Sequence, residues 1–388
     1  MIGMSTSPTR FPHITAFPNA LGTGMIVSSS QPIDDELREM MTTAIESFEA
    51  AFSRFRDDSI VGRIAHARYG GDFTFPDPQT AESLFSLYDR LFAASGGAID
   101  PTVGEELTRL GYDARLVFRM DREPEYQPDH DDRDPHYSGG TANRNADPTG
   151  RSGRITWNSI SHADGTISTT RPAQLDFGAA GKGMMVDLLG RMIEREIPGT
   201  EYVIDAGGDL RVRSASPIRV ALEDPDDPSR AVGVAEIGSG SFCASAPSRR
   251  HWRVRSAEGS VTEVHHLLDA RDGRPASEIK ATWVYVPTPG EPTTRALSHA
   301  STSAAPNAGD SADTGMAAKR CSAGDSLNDE CPTALADGLA TALFVTDPAA
   351  LADRFMNAAG TPRFQCALMQ DDRTVAASPG FPADFFTA

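Results

Sequence analysis

Three short stretches of this 388-residue sequence carry side chains able to handle a phosphorylated ligand, a proton and a divalent cation. In Leu175-Asp176-Phe177-Gly178-Ala179-Ala180-Gly181-Lys182-Gly183, small residues lead straight into a helical pattern. Exposed amides at a helix N-terminus, with the Lys182 ammonium beside them, suit a phosphate or diphosphate. The loop is not a Walker A motif, which needs glycine where Asp176 stands and serine or threonine where Gly183 stands. The same composition also suits a tight turn packing a helix on a strand. Residues His265 to Pro275 form an extended run closed by Asp272-Gly273, with adjacent histidines on opposite faces. Whichever histidine meets a cleft could take a proton near neutrality, although structural histidines share this pattern. In the apolar stretch Ala336 to Val345, Asp337 and Thr341 are four residues apart and share a helical face. A carboxylate beside a hydroxyl suits Mg²⁺, and it equally suits a helix-terminal aspartate next to a threonine bonded to its own backbone.

The elements that must hold these residues can be read from periodicity. Apolar residues at helical spacing predict helices over about 34–55 and 80–94, and a third runs over about 182–196. Tyr88 belongs to the apolar stripe of the second. Short strands are expected at about 24–28, 202–205, 210–213, 218–222, 233–237, 241–244, 264–269 and 281–286. Gly207-Gly208-Asp209 supplies a turn between two of them, glycine allowing positive φ there. Strands clustered as hairpins, rather than alternating singly with helices, imply an α+β fold with antiparallel sheets and packed helices in one catalytic unit, with room for two lobes. Two segments, 113–153 and 288–332, are poor in large aliphatic residues and are expected to be disordered inserts.

Composition excludes several classes. Lys and Arg number 36 against 54 Asp and Glu, a formal charge of −18 that repels nucleic acid. No apolar run is long enough to span a bilayer, so an integral membrane protein is not expected. Cys243, Cys321, Cys331 and Cys366 show no metal-binding CxxC spacing and are too few for a disulfide framework. The first twenty residues contain no apolar signal core, and a cytoplasmic location is the expectation.

Taken in order, the motifs resemble those of the ApbE-type FAD:protein FMN transferases. Leu21-Gly22-Thr23 is similar to that family's opening Met-Gly-Thr, and Ser95 to Gly104 to its SGGxxDPTVG segment. Leu175 to Asp187 resembles LDxGxxxKGxxxD, Gly207-Gly208-Asp209 matches GGD, and Ala244-Ser245-Ala246 keeps only the serine of TSG. His266 to Pro275 is similar to HIIDPxTGxP, and Ala336 to Asp347 to ADxxxTALFVLG. The chain departs from the pattern at Ala65, where an asparagine is usual, and at Ala270, where proline is usual.

The resemblance implies Mg²⁺-dependent transfer of FMN from FAD to a threonine or serine of a target flavoprotein, with AMP released. It assigns His266 as the base that deprotonates the acceptor, with Lys182 alongside it in catalysis. Asp337 and Thr341 would hold Mg²⁺ together with a backbone carbonyl near Gly181. Asp176, Gly178 and Lys182 would cradle the adenosine diphosphate portion. Leu21, Gly22 and Thr23 would touch the adenine side, and Asp100, Ala179, Ser245 and Asp269 complete the FAD-binding set. Hydrolysis of FAD to FMN and AMP, or FAD binding without chemistry, are the alternative readings.

Overall fold

Alternating apolar residues build an antiparallel eight-stranded sheet in the computed structural model, which describes residues 4–5, 10–112, 154–255, 261–289 and 331–386. Its spatial order is Val375–Ala377, Gln365–Gln370, Ile279–Pro287, Gly240–Ser245, Asp209–Arg213, Tyr202–Asp205, Met25–Ser29 and His13–Phe17. Both faces of the central strands are buried. Cys243, Val284 and Cys366 turn to one core, while Phe242, Trp283 and Ala367 turn to another, as the period of two in a strand requires. The second core is closed by a four-stranded antiparallel sheet built around Ile218–Glu223 and Ala231–Ile237.

Helices cover the first face. They are α1 (Asp35–Phe52), α2 (Ile60–His66), α3 (Pro78–Ser95), α4 (Gly104–Arg109), α5 (Gly181–Glu196), α6 (Pro332–Ala342) and α7 (Pro348–Arg354), with α4 the exception, since its Leu107 joins a small third cluster with Tyr112, Trp252, Val264 and Leu268. Local chemistry sets several of their ends. The Asp34 carboxylate accepts the Leu37 amide at the start of α1, Asp77 accepts the Thr80 amide at the start of α3, and Gly96 ends α3 in the left-handed region. Neither α5 nor α6 is capped by its own preceding residue. Their amides are satisfied from each other, as described below.

The expected mixed α+β architecture with antiparallel sheets is the one observed, and the three expected helices lie within three residues of their observed ends. The run over 264–269 is corrected. It divides into Val261–His265 and Leu268–Asp269 with His266 in the bend between them, so the two histidines do not alternate along one strand. The cause is His265, whose Nε2 reaches the Ala276 carbonyl (2.8 Å) while its Nδ1 accepts the Leu267 amide (3.2 Å), closing a local turn. The expected insert 113–153 lies outside the described residues. So do residues 290–330 of the second, Cys321 included. The ends of that second segment are ordered: the Thr288 amide donates to Ser239 and Pro332 opens α6. No helix among the described residues is long and apolar enough to cross a membrane.

Candidate active site

α5 and α6 lie in direct contact, and the sequence permits this at one small residue. A Cβ added to Gly183 would stand 2.3 Å from the Thr333 carbonyl oxygen, so only glycine allows the approach. Two buried carboxylates then tie the helices. Asp187, on α5, accepts the Thr333 and Ala334 amides of α6 (2.9 Å each) with one oxygen and the Arg211 guanidinium (2.6 Å) with the other. Asp337, on α6, accepts the Gly183 amide of α5 (3.0 Å). Each helix therefore supplies a carboxylate to the other's unsatisfied N-terminal donors.

The clamp places Lys182 against Asp337. The ammonium stands 3.1 and 3.2 Å from the two Asp337 oxygens and 2.9 Å from Asp209, the last residue of the Gly-Gly-Asp turn. Burial opposes its charge, but the attraction of Asp209 and Asp337 outweighs that and raises the Lys182 pKa. Asp337 is pushed up to about 7 by burial and then by Asp209, against the opposing pull of Lys182. Two carboxylates therefore share one ammonium.

A cavity of about 450 Å³ opens onto this cluster. It is lined by the predicted residues Gly22, Thr23, Asp100, Asp176, Gly178, Ala179, Lys182, Ser245, His266, Asp337 and Thr341. Thr23 reaches it because Gly207 carries no side chain: a Cβ there would lie 3.0 Å from the Thr23 hydroxyl. Three predicted residues stand outside the lining. Leu21 packs against the core and gives its amide to Glu49 (2.8 Å), Gly181 is buried at the start of α5, and Asp269 is forked by Arg271 (2.6 Å). Ala65, on α2, is also outside it. Asp100 lines the wall with its carboxylate engaged, accepting from Thr102 (2.7 Å) and from the Trp157 amide (3.2 Å). Asp176 accepts the Gly178 amide (2.6 Å) and the Arg54 guanidinium (2.5 Å), and that guanidinium lies over the Phe55 and Tyr112 rings.

His266 faces the cavity from the bend. Its Nδ1 is 3.4 Å from the Arg250 carbonyl oxygen, so the proton belongs on that nitrogen and Nε2 keeps its lone pair. Burial, followed by the nearby Arg250 charge, pushes the ring's pKa down to about 3. The imidazole is thus neutral throughout the physiological range, with its Nε2 lone pair unprotonated. His265 is bonded away from the cavity.

The donor set fits a hard divalent cation. Asp337 and Thr341 face the cavity one helical turn apart, and a cation would oppose the burial and the Asp209 charge that together raise Asp337. Among the described residues no three His, Cys, Asp or Glu side chains converge as a metal cage. Mg²⁺ needs no such cage, because it commonly uses one or two carboxylates and keeps several waters.

Three polar lining residues with roles at the cavity wall, Arg250, Tyr112 and Tyr88, are not among the residues that the sequence motifs single out. Arg250 extends to the Tyr112 hydroxyl (3.1 Å), and neither belongs to a readable motif. Tyr88 falls on the apolar stripe of α3, and its spacing gives no sign that it reaches the cavity.

The ApbE family's sequence model matches residues 21–312. The fold is similar to that of the ApbE protein from Thermotoga maritima, with 17% identity and a TM-score of 0.64 over 95% of this chain and 98% of that one. It is also similar to the flavin transferase ApbE from Vibrio cholerae, with 18% identity and a TM-score of 0.61 over 95% and 97% of the two chains. A third similar structure is the flavinyl transferase ApbE of Pseudomonas stutzeri in its apo form, with 18% identity and a TM-score of 0.60 over 95% and 96%. No match was found among curated proteins.

Proposed function

The chain belongs to the ApbE family, and from that premise we propose that it is a flavin transferase, moving FMN from FAD to a threonine or serine hydroxyl of an acceptor flavoprotein with AMP as the leaving group. The observation that carries the reading is that one cavity brings His266 together with Lys182, Asp337 and Thr341.

In this reaction the acceptor oxygen forms a bond to the FMN phosphorus. The bridging P–O bond of the diphosphate breaks, and AMP leaves with the bridging oxygen and its electron pair. His266 takes the acceptor's proton at Nε2. Gly178 and Ala179 border the phosphates at the start of α5, and Gly22 and Thr23 border the adenine side. Asp337 and Thr341 would hold Mg²⁺, with a backbone carbonyl near Gly181 as a further ligand, and the ion would neutralise charge on the diphosphate. Asp209 keeps Lys182 charged and in place beside Asp337.

Incubating the purified protein with FAD and Mg²⁺, with and without a flavin-acceptor domain, tests the reading. AMP release together with a covalent fluorescent acceptor band on a denaturing gel is expected. AMP release with no band would instead indicate hydrolysis of FAD, and bound FAD with neither product would indicate a binding protein.

A further inference from the structure

Tyr88, on α3, is 1% exposed and lies edge-on to Phe177, yet it also lines the cavity. Its hydroxyl is fully enclosed and has no hydrogen-bond partner among the described residues. The amides of Ala179 and Ala180 neighbour the oxygen, but they are donors and cannot receive its hydrogen. The ring is held against the loop that opens α5, the part of the cavity where the sequence concentrates small residues. A buried hydroxyl left without an acceptor costs about 1–3 kcal/mol, and phenylalanine would fill the same space without that cost.

We propose that Tyr88 is a ligand-binding residue of this site, its hydroxyl donating a hydrogen bond to an anionic oxygen of the bound diphosphate. The inference rests on the FAD reading above and adds a contact that the family motifs do not contain. Burial, followed by the charges of Asp176 and Asp337, holds the phenol well above its ordinary pKa. It therefore remains a donor at every pH at which the protein would work. The phosphate oxygen would take a hydrogen for which the described residues supply no acceptor, beside helix-terminal amides that also favour an anion.

The test is Tyr88→Phe, with affinities for FAD and riboflavin measured by flavin fluorescence and the melting temperature of the ligand-free protein measured alongside. The variant is expected to bind FAD about tenfold more weakly, to bind riboflavin unchanged, and to melt no lower than the wild type. Unchanged FAD affinity in the variant, with normal wild-type binding, would overturn this proposal alone. Equal losses for both flavins would place the contact away from the phosphates and overturn it as well. A lower melting temperature in the ligand-free variant would mark the hydroxyl as structural and do the same. Wild-type protein that bound no FAD would remove the functional reading and this proposal together.

Discussion

Asp187 and Asp337 are reciprocal caps. The first accepts amides from the helix that bears the second, and the second accepts an amide from the helix that bears the first. The Lys182–Asp337 pairing is thereby fixed by hydrogen bonds within the same two helices. Arg211 balances Asp187 on one side of this clamp and Lys182 balances Asp337 on the other.

Asp187→Ala removes the acceptor for two amides and leaves Arg211 without its closest carboxylate. A loss of about 3 kcal/mol is expected, read as a lower urea midpoint at unchanged slope. A loss below about 1 kcal/mol would show that the clamp is not carried by this side chain.

Gly183→Ala sets helix propensity against packing. In an open helix the change would gain about 1 kcal/mol, but the added methyl would meet the Thr333 carbonyl at 2.3 Å. A lower melting temperature and reduced AMP release are expected together. A more stable variant would show that α6 can move away without cost.

Asp337→Asn keeps an oxygen for the Gly183 amide while removing the charge, and Lys182 retains Asp209 as its partner. Mg²⁺-dependent AMP release should fall by about a hundredfold or more, with no loss of thermal stability. Full activity at the wild-type Mg²⁺ requirement would refute the metal assignment.

For His266, the prediction concerns pH. Because the native ring's pKa is pushed down to about 3, transfer should show no loss of its base between pH 8 and pH 5. A descending limb centred near 6.5 would contradict this. The unfolded chain binds a proton to this histidine near pH 6.5 and the native state does not. Its stability contribution is therefore fully present above about 6.5, and it falls by up to about 1.4 kcal/mol per pH unit as pH drops toward 3. His266→Ala should flatten that slope, slow transfer by about a hundredfold or more and leave FAD binding intact.

The legible parts of the molecule were those in which one short window holds the whole signal. The stripe of α1, the Gly-Lys loop opening α5 and the Asp337 and Thr341 spacing are contained in consecutive residues, so their placement could be anticipated. The break at His266 could not, because it depends on a bond from His265 to Ala276, eleven residues away. Nor could Arg250, Tyr112 or the polar end of Tyr88. Each reaches the cavity through contacts between distant segments, and in sequence a half-lining tyrosine has the same spacing as a fully buried one. Asp209 stood inside a recognised turn, but its pairing with Lys182 appears only when α5 is laid against the strand that follows that turn.

The placement of the α5–α6 clamp also bears on the long segment before α6. The chain leaves the eight-stranded sheet at Pro287 and re-enters the described fold at Cys331, and within three residues Asp187 has taken the Thr333 and Ala334 amides. The orientation of Asp337 is thus set by Lys182, Gly183 and Asp187, the α5 residues that meet α6 just after this junction. A change at Asp187 is therefore expected to reach the cavity through the helix that it anchors, shifting Asp337 and Thr341 relative to Lys182 without touching either of them.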